Sequence, residues 1–160
     1  MKKAPIKRHP ALVAFSKDHH FGLLLVWKIR QGIAGGTDVA LIKDYTRYFY
    51  NADLQYHFEE EEQYLFALLP NDEATIKALN DHKEIRELIE GLNNKDAGIE
   101  ALQHFAEVLE NHIRFEERML FNDYQNKLTE EQLDALLKVE LKERNDVDLD
   151  WDNHFWVRKK

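Results

Sequence analysis

Two short stretches of this sequence pair a histidine with a glutamate four positions later: His57 with Glu61, and His112 with Glu116. On an α-helix four residues make one turn plus about 40°, so each pair projects from one face. A Leu-Phe pair follows both, at Leu65-Phe66 and Leu120-Phe121. Imidazole beside carboxylate offers nitrogen and oxygen donors, and the pair repeated in one small chain is a metal-site signature. The chain has no cysteine, so thiolate metal sites, disulfides and thiol redox chemistry are excluded. Any metal here must be held by nitrogen and oxygen.

Helices must carry these pairs. With only 6 glycines and 3 prolines, the composition favours long helices over the many turns of a sandwich or barrel. Residues 1 to 10 read as an irregular arm ending at Pro10. The first helix runs from Ala11 to about Ile33, closed by Gly32 and then Gly35-Gly36. Leu12, Phe15, Gly22, Val26, Ile29 and Ile33 form its apolar series, and His19 falls within it. His20 lies about 100° away, toward Lys17 and Lys28. Thr37-Asp38 caps a second helix that reaches about Leu69 and stops at Pro70. Its inward series is Tyr50, Leu54, His57, Glu61, Leu65 and Leu68, which leaves Glu59, Glu60 and Glu62 as a solvated acidic face.

A third helix opens at Asn71 or Asp72 and ends near Leu92. Its seam is Ala78, His82, Ile85, Ile89 and Leu92, with Arg86 one turn after the histidine. The fourth helix, from about Ile99 to Asn126, carries Phe105, Leu109, His112, Glu116 and Met119 on its seam. Thr129-Glu130-Glu131-Gln132 has the form of a capping box and starts a short fifth helix. The tail from Val147 to Lys160 bears Trp151, His154, Phe155 and Trp156. It is expected to pack back on the bundle or to join a second copy in a homodimer. Four long helices with short connections must pack antiparallel, up-down-up-down. The expected fold is all-α: one domain over residues 1–160, with a four-helix bundle at about 11–126 and a short helix and tail from 127 onward.

Bulk properties narrow the function classes. A net charge of -8 argues against nucleic acid or an anionic membrane surface as partner. No run approaches the 18 or so apolar residues of a membrane span. The basic start, Met1 to Pro10, lacks the apolar segment of a signal peptide, so a cytoplasmic location is expected.

Each of the four helices thus places a histidine on its core-facing seam (His19, His57, His82, His112), and two add a glutamate (Glu61, Glu116). An unpaired buried polar group costs on the order of 1–3 kcal/mol, and a buried carboxylate costs more. A fold stable by about 5–15 kcal/mol could not hold six of them without compensation, which a bound cation supplies. Four imidazoles and two carboxylates exceed the needs of one tetrahedral zinc. They suit two six-coordinate ions bridged by the carboxylates. Iron is the favoured element, with zinc and manganese the other ions this donor set accepts. The Glu-x-x-His order of ferritin-like sites is absent, as is His-Glu-x-x-His.

The order His, His-x-x-x-Glu, His, His-x-x-x-Glu on successive helices resembles the hemerythrin-like, or HHE cation-binding, domain, over roughly residues 10 to 126. The resemblance implies an antiparallel four-helix bundle around a non-haem di-iron centre with carboxylate and oxo or hydroxo bridges. In such a centre His19, His57, His82 and His112 would be terminal ligands, and Glu61 and Glu116 would bridge. Asp18-His19 and Asp81-His82 share a local form, which supports His19 over His20. The oxygen-carrying hemerythrins of marine invertebrates place a second histidine where this chain has Arg86, and an aspartate where it has Glu116. The set found here is closer to the iron-centre repair proteins and the iron-sensing F-box domain, although the cysteine-bearing segment usual in the repair proteins is missing.

Three functions follow as expectations. The first is a di-iron module that binds or senses oxygen, nitric oxide or iron. The second is a di-iron oxidase, peroxidase or nitric oxide reductase, with Tyr56, Tyr64 and Tyr124 as candidate redox neighbours. The third is a metal-free structural bundle. His9, His20, His104 and His154 read as surface or supporting residues.

Overall fold

The computed structural model describes residues 7–144 and 146–157, and every regular element among them is helical. Helix α1 spans Pro10–Ala34. It opens with proline at its first position, where a missing N–H is harmless, and the His9 ring accepts from the Ala11 N–H at 3.0 Å. Asp38 caps α2, Val39–Phe49. That rod continues without a break through a π-helical turn at Tyr50–Leu54, α3 at Gln55–Glu60, a second π turn at Glu61–Leu65 and a 3-10 turn at Phe66–Leu68. Asp72 caps α4, Glu73–Gly91. Helix α5, Ile99–Phe115, runs through a π turn at Glu116–Leu120 into α6, Phe121–Lys127. The Thr129–Gln132 capping box forms as expected and starts α7, Glu130–Leu137. A last 3-10 turn covers Val147–Asp150. No helix among the described residues is long and apolar enough to cross a membrane. Residues 1–6 of the expected N-terminal arm and 158–160 of the tail lie outside the described residues.

The helices pack as a bundle around two apolar clusters. One is built on Leu25, Tyr45, Phe58, Ile85 and Phe105, the other on Leu12, Phe15, Leu65, Ala78 and Phe121. Along each rod the polar residues of interest fall between the two clusters. Close approach of α1 to α5 depends on Gly22, where a Cβ would sit 2.8 Å from Ile113 Cδ1.

Two seams depart from simple helical periodicity. Met119 is 63% exposed and Leu120 fully buried, because the π turn beginning at Glu116 adds a residue and advances the inward position by one. In the second rod Phe66 is buried and Leu68 only partly so, where the π turn passes into the 3-10 turn.

The aromatic tail packs back on the bundle. Trp151, Phe155 and Trp156 surround Tyr45 at ring separations of 5.5, 5.6 and 4.8 Å. Phe155 fills the notch at Gly32, where a Cβ would meet its ring at 2.7 Å. Lys28 is buried; it pairs with Asp148, which also accepts from the Tyr45 hydroxyl at 2.5 Å. Burial and the adjacent Asp148 together push the Tyr45 phenol far above its ordinary value.

Candidate metal centre

All six residues picked out on the helical seams meet in the core: His19 from α1, His57 from α3, Glu61 from the following π turn, His82 from α4, His112 from α5 and Glu116 from the π turn after it. None is more than 4% exposed. They form two overlapping groups. His19, His57, Glu61 and Glu116 present donor atoms within 4.8 Å of one another, and so do Glu61, His82, His112 and Glu116. The glutamates belong to both. Glu61 Oε1 lies 3.3 Å from the Nε2 atoms of both His57 and His82. Glu116 Oε1 lies 2.5 Å from His112 Nε2 and 3.7 Å from His19 Nε2. A π turn begins at each shared glutamate, a helical irregularity that recurs at functional sites.

Each of the four histidines of the centre turns Nε2 inward and fixes Nδ1 on a carboxylate from the neighbouring rod. Asp18 holds His57 at 3.1 Å, Glu62 holds His82 at 2.6 Å, Asp81 holds His112 at 3.0 Å and Glu117 holds His19 at 2.6 Å. Each of these carboxylates is the sequence neighbour of a residue in the centre: Asp18 of His19, Glu62 of Glu61, Asp81 of His82, Glu117 of Glu116. The braces therefore close a ring, with each rod supplying donors and the support for the next rod's histidine. A carboxylate on Nδ1 selects the tautomer that leaves Nε2 free as a donor and fixes the ring plane, as metal-bound imidazoles require.

The electrostatics of the pocket call for positive charge. Burial alone disfavours a charged imidazole at His57, yet the Glu61 charge and the Asp18 bond outweigh it and raise its pKa well above the ordinary value. His112 rises to about 9 against the same desolvation, through Glu116 and Asp81. Desolvation also opposes ionisation of Glu116, but His112 beside it holds the carboxylate well below its usual range. Burial likewise works against Glu62, Asp81 and Glu117, and their histidine partners keep all three low.

Hydrogen bonding leaves the inner atoms unsatisfied. His19 Nε2, His57 Nε2 and both oxygens of Glu61 and of Glu116 are buried with no hydrogen-bond partner among the described residues. Buried polar atoms in native proteins are nearly always partnered, so six orphans converging on one spot mark a place where a ligand belongs. The donors fit a metal: nitrogen and oxygen only, in two sets, with the imidazoles already braced.

His19, not His20, enters the centre; His20 is exposed. His9 caps α1, His104 is exposed, and His154 bonds the Asp148 carbonyl at 3.0 Å. Arg86 reaches Glu62 at 2.9 Å and the Tyr50 hydroxyl at 3.4 Å, so the carboxylate it serves is Glu62. Glu62 is accordingly no member of a solvated acidic face, and neither is Glu60, which pairs with Arg144. Tyr124 is buried against Thr75, and burial raises its phenol to about 12. Tyr56 lies under the Lys142 ammonium, 3.3 Å from its ring centroid. Sequence reasoning missed the four bracing carboxylates as braces. The signal that could have found them is the acidic residue beside a centre residue on every rod.

Comparison with curated proteins finds no match, and comparison with solved structures finds none. The family model for the hemerythrin HHE cation binding domain matches residues 14–124. That stretch contains all six residues of the centre and the four carboxylates that brace it, and the chain belongs to the hemerythrin HHE cation-binding family.

Proposed function

We propose that this chain is a non-haem di-iron protein that binds or senses a small diatomic ligand such as oxygen or nitric oxide, or iron itself. His19 and His57 hold one ion and His82 and His112 the other, with Glu61 and Glu116 shared between them. The four rods form one domain, an antiparallel up-down-up-down bundle around the pair. The observation that carries the reading is the set of six orphaned buried atoms, two on His19 and His57 and four on the glutamates that the two overlapping donor groups share. Two redox-active ions side by side supply electrons and open coordination positions. The four-histidine, two-glutamate set supports reading the chain as nearer the iron-sensing and iron-centre repair members of the family than the oxygen carriers.

Binding or sensing is favoured over turnover of an organic substrate by the space at the centre. The cavity bordered by His19, His57, Leu54, Phe58 and Ile113 has about 10 Å³ of room. That is about the room of one water and far too little for an organic substrate without movement. The chain's own residues exclude bulk water there and hold the imidazole planes through their Nδ1 bonds.

Metal analysis of the purified protein, with an optical spectrum taken with and without oxygen, tests this. The expected outcome is about two irons per chain and a visible band that responds to oxygen, both lost in Glu61→Ala. Fully folded, iron-free protein from iron-replete cells sinks the reading.

A further inference from the structure

The four bracing carboxylates are themselves clamped, each by a different cation, and the clamps divide unequally between the two donor groups. Arg86 holds Glu62 at 2.9 Å and Lys77 holds Asp81 at 3.0 Å. Both cations come from α4, inside the bundle, and both serve the His82–His112 group. Arg8 lies 3.5 Å from Glu117, and Arg144 lies 3.7 Å from Asp18. These arginines come from the segments before α1 and after α7, and both serve the His19–His57 group. Both also fall outside residues 14–124, the stretch that matches the family.

The flanking clamps are the better buried pair. Arg144 is 6% exposed at its side chain, against 54% for Lys77. Exposed ion pairs are screened and hold little, whereas buried ones are not. Arg144 also pairs with Glu60, whose second oxygen accepts from the Lys142 N–H at 2.7 Å. Arg8 donates to the Glu117 carbonyl at 2.8 Å and covers the Phe121 ring on which His19 stacks. The other group needs nothing from outside the bundle: His82 stacks on Phe58 at 3.9 Å and is braced from the second rod.

We propose that the flanking segments complete one of the two metal positions, the one built on His19 and His57, and that Arg8 and Arg144 are its positioning residues. The inference rests on the metal reading above. Arg144 keeps Asp18 against His57, and Arg8 keeps Glu117 against His19. Loosening a carboxylate behind a ligating imidazole weakens metal binding about 10–100-fold. The two ions are therefore held unequally. One exchanges when the flanking segments lift, and the other is held by the bundle alone.

The test loads the full chain with iron(II) in the absence of oxygen and follows release to a coloured iron(II) chelator. In the Arg8→Ala/Arg144→Ala variant one ion is expected to leave about tenfold faster while the other keeps its wild-type rate. Arg8→Lys/Arg144→Lys, which restores the charges, returns the fast phase toward wild type. In a His19→Ala background one ion remains, and the same arginine changes leave its release unaltered. Circular dichroism follows the fold, and if the alanine pair unfolds, Arg144→Gln alone is judged by the same criterion. Equal acceleration of both ions, or of neither, overturns the inference. A wild-type chain that takes up no iron sinks the metal reading itself, and this inference with it.

Discussion

Two polar clusters in this molecule, one under the tail and one at the centre of the bundle, differ in how they are satisfied. At the tail, Lys28, Tyr45 and Asp148 saturate one another, and none of their atoms is left without a partner among the described residues. At the centre, four histidines and two glutamates are more deeply placed, none above 4% exposed, yet six of their atoms have no partner among the described residues. The first cluster is closed and works as a fastening between tail and bundle. The second is open toward one point, where an added cation would close it. Counting unsatisfied atoms separates a structural polar cluster from a binding site.

The largest effect that tests this contrast is metal linkage. Iron at a thousandfold excess over the Kd of a site is expected to stabilise the fold by about 4 kcal/mol per ion in urea unfolding. Glu61→Ala/Glu116→Ala should abolish that gain. Stabilisation that survives the double change would erase the distinction between the clusters. Next is Lys28→Ala, which strands Asp148 and should cost about 3 kcal/mol. That loss should be the same with and without iron, and a fall in bound iron would show that the clusters are coupled.

Asp53 is an intermediate case, a 3% exposed carboxylate in neither cluster. Burial raises its pKa to about 6, against an opposing pull from Arg144. A raised folded-state pKa means the stabilising neutral form is fully present below the ordinary carboxylate range and lost as pH rises through about 6. Asp53→Asn should therefore raise stability at pH 7 by about 1–3 kcal/mol and by little at pH 4. Urea titrations at the two pH values check the sign. The smallest effect belongs to Lys77→Ala: its ion pair is exposed and should contribute below about 1 kcal/mol in the same assay.

Periodicity made much of this readable. Every seam residue named on the third rod, from Ala78 to Leu92, is buried, and the same holds on the fourth from Phe105 to Glu116. The reading slipped at Met119 because no residue announces the π turn that begins at Glu116. It slipped again at Glu62. Side chains one position from a seam point about 100° away from it, and whether they reach solvent or an adjacent rod depends on how closely the rods approach. The Gly22 contact with Ile113 shows how near α1 and α5 come here. The tail fastening was legible only as aromatic content. Neither Lys28 nor Asp148 carries any local sign that they pair across 120 positions of chain.

The ring of braces has a consequence for the order of assembly. Three of its links join residues 20, 31 and 39 positions apart, but the link between His19 and Glu117 spans 98. Closing the longest loop carries the largest entropic penalty and is expected to come late. Folding should then pass through a species with α4 and α5 paired and α1 undocked, in which half the donors are braced and the other half are not. Tight capture of the ions would mark the end of folding rather than seed it. Rapid-mixing refolding with and without iron(II) can tell the two apart: metal present from the start should leave the refolding rate unchanged and slow only unfolding.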